Sequence, residues 1–186
     1  MSTETRTAVI RVAGALILLL AIVSALLPLT TDIPARSAIG LLLIAAGAVE
    51  VAAVVARRGH HITAGIAAGA TLLAGLRLEL DSGVNFPTIL NFVILWLVVR
   101  CAALFFSARH SPTPLCIWVY LAAAVDFALA VLLLGGLPVA VLVYGLFGTT
   151  NEVIATFAWI FAISFVAAGL LLIFAAPLEA SEADQG

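Results

Sequence analysis

The sequence predicts an all-α membrane protein: six transmembrane helices folded as three helical hairpins, with both termini on the cytoplasmic side. Three observations carry that expectation. Of the 186 residues, 65% are hydrophobic and 10% are charged, and mean hydropathy is +1.27. An ordinary soluble domain carries about 25% charged residues, so polar material here is too scarce to cover a water-facing surface. Several apolar stretches of about 20 residues, the length that crosses a bilayer, follow one another with short breaks. Finally, the chain repeats itself fifty residues apart: Val49 falls on Val99, Glu50 on Arg100, Ala52 and Ala53 on Ala102 and Ala103, and His60 on His110.

Charge and cysteine usage narrow the function classes. The formal net charge is −2, and all eight basic residues are arginines. No basic patch interleaved with aromatics exists, which argues against a nucleic-acid partner; membrane lipid is the expected surrounding. Cys101 and Cys116 form no CxxC or metal-ligand spacing. They read as buried, inert thiols toward the cytoplasmic side, where thiols stay reduced.

Residues 1–7 are a short polar start. Ala8 to Leu29 form the first apolar helix, ended by Pro28 and the turn residues Thr30, Thr31, Asp32 and Pro34. Its apolar run is too long for a typical signal-peptide core. Helix two covers Arg36 to Ala56, and helix three Ile62 to Leu78, rich in alanine and glycine. Helix four covers Phe86 to Ser107, and the break that follows contains Pro112 and Pro114, which lack backbone donors. Helix five is expected from Leu115 to Leu134, stopped by Gly135, Gly136 and Pro138. Residues 139–150 are too short to span and read as an extension packed at the outer leaflet. Asn151 and Glu152, a cap and a first-turn acid, open a last helix that runs to Ala176. The acidic tail, 177–186, is expected to be disordered.

Arginine placement sets the orientation. Arg6, Arg11, Arg57, Arg58 and Arg109 lie at the N-terminus and after helices two and four; only Arg36 and Arg77 lie at the other breaks, with acids beside them. The single transmembrane domain, 8–176, divides into hairpins 8–58, 62–109 and 115–176. Pro28 and Pro138 lie 110 residues apart, with the Asp81-Ser82 turn midway. Glycines and alanines along helices two and three suit close helix approach.

These stretches resemble the HdeD-like family of small bacterial membrane proteins linked to acid resistance. GLLLIAAGAVEVAAVVARR looks like the family's second helix, VVRCAALFFSAR its fourth, and AAVDFALAVLLLGGLP its fifth. The resemblance covers about residues 10–176. It departs in the lengthened last hairpin, at VAVLVYGLFGTT, and at Ser164, where the family often shows an acid. It implies a bacterial inner-membrane location and a role in acid or envelope stress tolerance, and it carries no enzymatic mechanism and no cofactor.

A charged residue at the centre of a spanning helix costs about 2.5–3.5 kcal/mol on insertion scales, so such residues turn inward and pair. Glu50 lies about 9 Å, and Arg100 about 10 Å, inside the cytoplasmic ends of their helices at 1.5 Å per residue. Equal depth predicts a Glu50–Arg100 pair. Asp126 lies about 16 Å deep by the same rise, as a second acid for Arg100 or as a protonated carboxyl. The set reads either as a lock on helix register or as a site that handles protons or ions. His60, His61 and His110 collect at the cytoplasmic surface by the fifty-residue correspondence; they read as loop histidines or as a sensor of acidification. Their spacing fits neither zinc nor haem. Arg77, Glu79 and Asp81 read as the solvated end of helix three. Trp118 suits the interfacial belt, whereas Trp96 and Trp159 read as core or lipid-facing.

No catalytic motif is present: there is no GxSxG, HExxH or phosphate-binding glycine loop. The expectation is therefore a non-enzymatic membrane protein. The alternatives are a small transporter or channel built on Glu50, Arg100 and Asp126, or an accessory subunit with a membrane-protein partner or a second copy of itself.

Overall fold

In hydrocarbon an unpaired backbone N–H or C=O has no water to bond, so a spanning chain closes its hydrogen bonds within helices. The chain does this six times. The structure, a computed structural model, describes residues 3–26, 35–57, 61–80, 86–111, 113–147 and 151–183. They form α1 (Thr3–Leu26), α2 (Ala35–Ala56), α3 (His61–Leu80), α4 (Phe86–Ala108), α5 (Thr113–Phe147) and α6 (Asn151–Ala183). Among the described residues there is no strand. Every helix holds a segment long and apolar enough to cross a membrane, from Glu4–Leu26 in α1 to Ala158–Leu178 in α6.

Three helix ends differ from expectation, and the last two both run through a proline. The first helix starts at Thr3 and takes in most of the polar start, with Glu4 in its first turn, where a carboxylate suits the positive end of the helix dipole. Helix five does not stop at Gly135, Gly136 and Pro138; α5 continues to Phe147. The segment 139–147 is thus an extension of helix five, and 148–150 lie outside the described residues. Nor does helix six stop at Ala176: α6 passes Pro177 and includes the tail to Ala183. Each proline removes one backbone bond, and the chain stays helical on both sides of it. At 1.5 Å per residue, α5 and α6 are each about 50 Å long, well beyond the roughly 30 Å of bilayer hydrocarbon.

The helices form a closed ring in which each touches its sequence neighbours and α1 meets α6. The expected hairpins are not the tightest units of that ring. The most extensive packing joins α1 to α6, α2 to α3 and α4 to α5, and the interfaces inside 8–58, 62–109 and 115–176 are thinner. Glycine explains two of the three. A Cβ on Gly14 would stand 2.8 Å from the Gly169 carbonyl oxygen, and one on Gly169 would stand 2.9 Å from that of Gly14. Between α2 and α3, a Cβ on Gly47 would lie 2.6 Å from the Leu72 nitrogen, and one on Gly75 2.6 Å from the Ile44 nitrogen. Only bare backbone permits such approach, as the alanines and glycines of helices two and three lead one to expect.

Inside the ring sits an apolar core around Ile17, Leu43, Leu97, Phe161 and Phe165, all buried. The outer surface is apolar too: Val55 and Ile62 are 80% and 81% exposed, as suits lipid rather than water. The buried polar side chains, Ser24, Glu50, Thr71, Arg100, Ser107, Asp126 and Ser164, face inward among them.

Candidate functional site

Arg100, on α4, has an apolar helix on every side, and nothing in its own helix can neutralise it. It is 3% exposed, and its partners come from neighbouring helices. Its Nη1 donates to Glu50 Oε1 on α2 at 2.7 Å and to Thr71 Oγ1 on α3 at 3.1 Å. Its Nε donates to Asp126 Oδ2 on α5 at 2.9 Å. The other Asp126 oxygen, Oδ1, accepts from Ser164 Oγ on α6 at 2.6 Å. One guanidinium thereby ties five helices together. Charge-assisted bonds of this kind are roughly twice as strong as neutral ones.

Thr71 is the hinge of the neutral part. A hydroxyl has one proton to give and two lone pairs to fill. Thr71 Oγ1 donates to the Ala67 carbonyl at 3.0 Å and accepts from Arg100 and from Trp96 Nε1, the latter at 3.0 Å. The Trp96 ring lies 5.8 Å from the guanidinium carbon and 5.4 Å from the Phe161 ring, which closes the apolar side of the knot. The first helix is joined separately, through Ser24 Oγ donating to the Ala158 carbonyl of α6 at 2.9 Å.

The two acids differ. Both oxygens of Asp126 have donors. Glu50 has one donor on Oε1, while its Oε2 is buried and accepts from no side chain or backbone group. Glu50 also lines a small cavity of about 50 Å³ together with Arg57, Arg100, Leu104 and Leu171, room for roughly one or two waters at ~30 Å³ each. With two carboxyls and one guanidinium in contact, the cluster has one acid in excess.

Of the residues that the sequence singles out, the structure brings Glu50, Arg100 and Asp126 into direct contact. The histidines are placed differently. His110, in the turn after α4, is exposed, with Nδ1 3.0 Å from the Phe106 carbonyl in the last turn of α4; His61 opens α3, and His60 lies outside the described residues. Nearby, Arg109 rests over Phe105 at 4.8 Å. Cys101 and Cys116 are free thiols but only partly buried, not fully buried as expected, because both sit on the partly exposed flank where α4 meets α5. No group of three or more His, Cys, Asp or Glu side chains among the described residues is set to hold a metal.

Sequence reasoning missed Thr71, Ser24 and the role of Trp96, and noted Ser164 only as a departure from a pattern. The available signal was the same for all four: a hydrogen-bonding side chain within an otherwise apolar span needs a partner. No family model, curated protein or solved structure matches the chain.

Proposed function

We propose that the chain is a non-enzymatic, multi-pass protein of the bacterial inner membrane, of the HdeD-like type, contributing to acid or envelope stress tolerance as a rigid bundle rather than as a catalyst. The observation that supports this reading is the Arg100 knot. Its strongest donors and acceptors are spent on one another across five helices, the arrangement of a register lock. In this reading both termini are cytoplasmic, from the arginine distribution. The ring's alternation of extensive and thin interfaces belongs to an ancestral threefold repeat of helix pairs. Survival of the source bacterium after acid challenge tests the role. Loss of the chain lowers survival and the wild-type chain restores it; equal survival with and without the chain removes the acid-stress reading.

A second reading, proton handling, has one specific observation in its favour. Glu50 presents an unbonded oxygen in a site that also has an acid in excess and a small cavity beside it. In that reading, proton flux into liposomes carrying the purified chain falls in Glu50→Gln and in Asp126→Asn. Absence of flux from the wild-type chain at every pH tried leaves the structural role alone.

A further inference from the structure

Away from the ion cluster, α3 and α4 leave a groove of about 290 Å³ on the outer surface of the ring. Ala70 and Ala74 form its α3 side and Trp96 its base; Leu73 and Leu95, 66% and 57% exposed, stand as its walls. Its lining is apolar except at one end, where Arg77 lies exposed. Arg77 is three residues from the end of the Ile62–Leu80 span, about 4.5 Å at 1.5 Å per residue, and Ala70 is roughly 10 Å deeper by the same rise. The groove therefore runs along the bilayer normal, from headgroup level to mid-depth.

We propose that this groove is a binding site for one anionic phospholipid, with an acyl chain lying between Leu73 and Leu95 and the phosphate at Arg77. The charge pattern selects that occupant. A purely apolar cleft takes any chain, but a single guanidinium at headgroup depth favours a phosphate carrying net negative charge. Arg77 also has an interaction within the protein, and a guanidinium with five N–H donors serves both. A helix from a second copy of the chain fits less well, because its apolar surface would have to cover that cation.

Trp96 at the base of the groove is a built-in reporter. In full-length chain carrying Trp118→Phe and Trp159→Phe, Trp96 is the only tryptophan left, since the chain has three. The chain is placed in phosphatidylcholine nanodiscs doped with brominated phosphatidylglycerol or brominated phosphatidylcholine. Half-quenching by the anionic lipid is expected at a mole fraction about fivefold lower, equivalent to roughly 1 kcal/mol for one arginine near the membrane surface. Arg77→Gln removes that preference and Arg77→Lys keeps most of it, whereas Ala70→Leu, which fills the groove, weakens quenching by both lipids. Should the tryptophan variants fail to fold, native mass spectrometry of the wild-type chain reads the same point, as a retained phosphatidylglycerol adduct that Arg77→Gln loses. Equal quenching by the two lipids, a preference that survives Arg77→Gln, or protection of Trp96 by a cross-linked second copy would each overturn the proposal.

Discussion

Two parts of this ring hold helices together by opposite means. Along α1·α6 and α2·α3 the contact is dry, with Gly14 against Gly169, Gly47 against Leu72 and Gly75 against Ile44, so near that no Cβ fits. Between α4 and its neighbours the contact is ionic, through Arg100, Glu50, Thr71 and Asp126. In lipid, apolar side chains gain nothing by leaving one acyl surrounding for another, so association relies on close van der Waals packing or on hydrogen bonds. The glycine seams rely mainly on the first, with one hydrogen bond from Ser24 to Ala158, and the seams of α4 on the second. The dry seam tolerates no added volume, and the ionic seam tolerates no missing partner.

Removing a partner has the larger expected effect. Arg100→Ala leaves Glu50 and Asp126 without the guanidinium they share and should destabilise the bundle by about 3–5 kcal/mol, the cost of an uncompensated buried charge, read from unfolding in mixed micelles. Asp126→Asn keeps an acceptor oxygen and should lose clearly less. Adding volume comes next. Gly47→Ala or Gly75→Ala should cost about 1–3 kcal/mol, as overpacking does, in the same unfolding assay. Gly69 is the control: nothing lies within 4 Å of a Cβ there, so Gly69→Ala should be neutral or gain up to about 1 kcal/mol from helix propensity. If all three behave alike, the dry seam is not limited by volume.

A finer test separates pairing from mere proximity. Glu50→Gln and Arg100→Gln should each destabilise, and the double variant should lose less than their sum by about 0.5–3 kcal/mol. A double variant no better than the sum would show that the two charges do not support each other. The smallest effects belong to the neutral bonds. Ser24→Ala and Trp96→Phe, which each remove a neutral bond, should each cost about 0.6 kcal/mol, the average for interhelical hydrogen bonds in a bilayer, measurable as small shifts in the unfolding midpoint.

The sequence made the ionic seam more legible than the dry one. Charges are so rare in these helices that matching Glu50 and Arg100 by depth nearly forces their contact, and they meet at 2.7 Å. Asp126, read as a second acid for the same arginine, sits at 2.9 Å. The bonds of Thr71, Ser24 and Ser164 were not foreseen because a hydroxyl can also bond its own helix backbone, as Thr71 does with Ala67, so its presence alone names no partner. The pairing of α1 with α6 was hidden for another reason. Gly14 and Gly169 look like many other glycines in this composition, and only the folded backbone shows which two face each other. The continuation of α5 past Pro138 was hidden because Gly135, Gly136 and Pro138 read as a stop, although a proline removes only one backbone bond.

The closure of α1 on α6 has a consequence for biogenesis. Ser24 and Ala158 are 134 positions apart, so α1 leaves the ribosome well before its mate α6 is made. At about 5–20 residues per second, that delay is on the order of ten seconds. During this interval the bare flank of α1 around Gly14 lies against acyl chains or against the insertion machinery. A nascent chain halted before α6 is therefore an open arc with an unsealed edge, the form on which membrane quality control has most to grip.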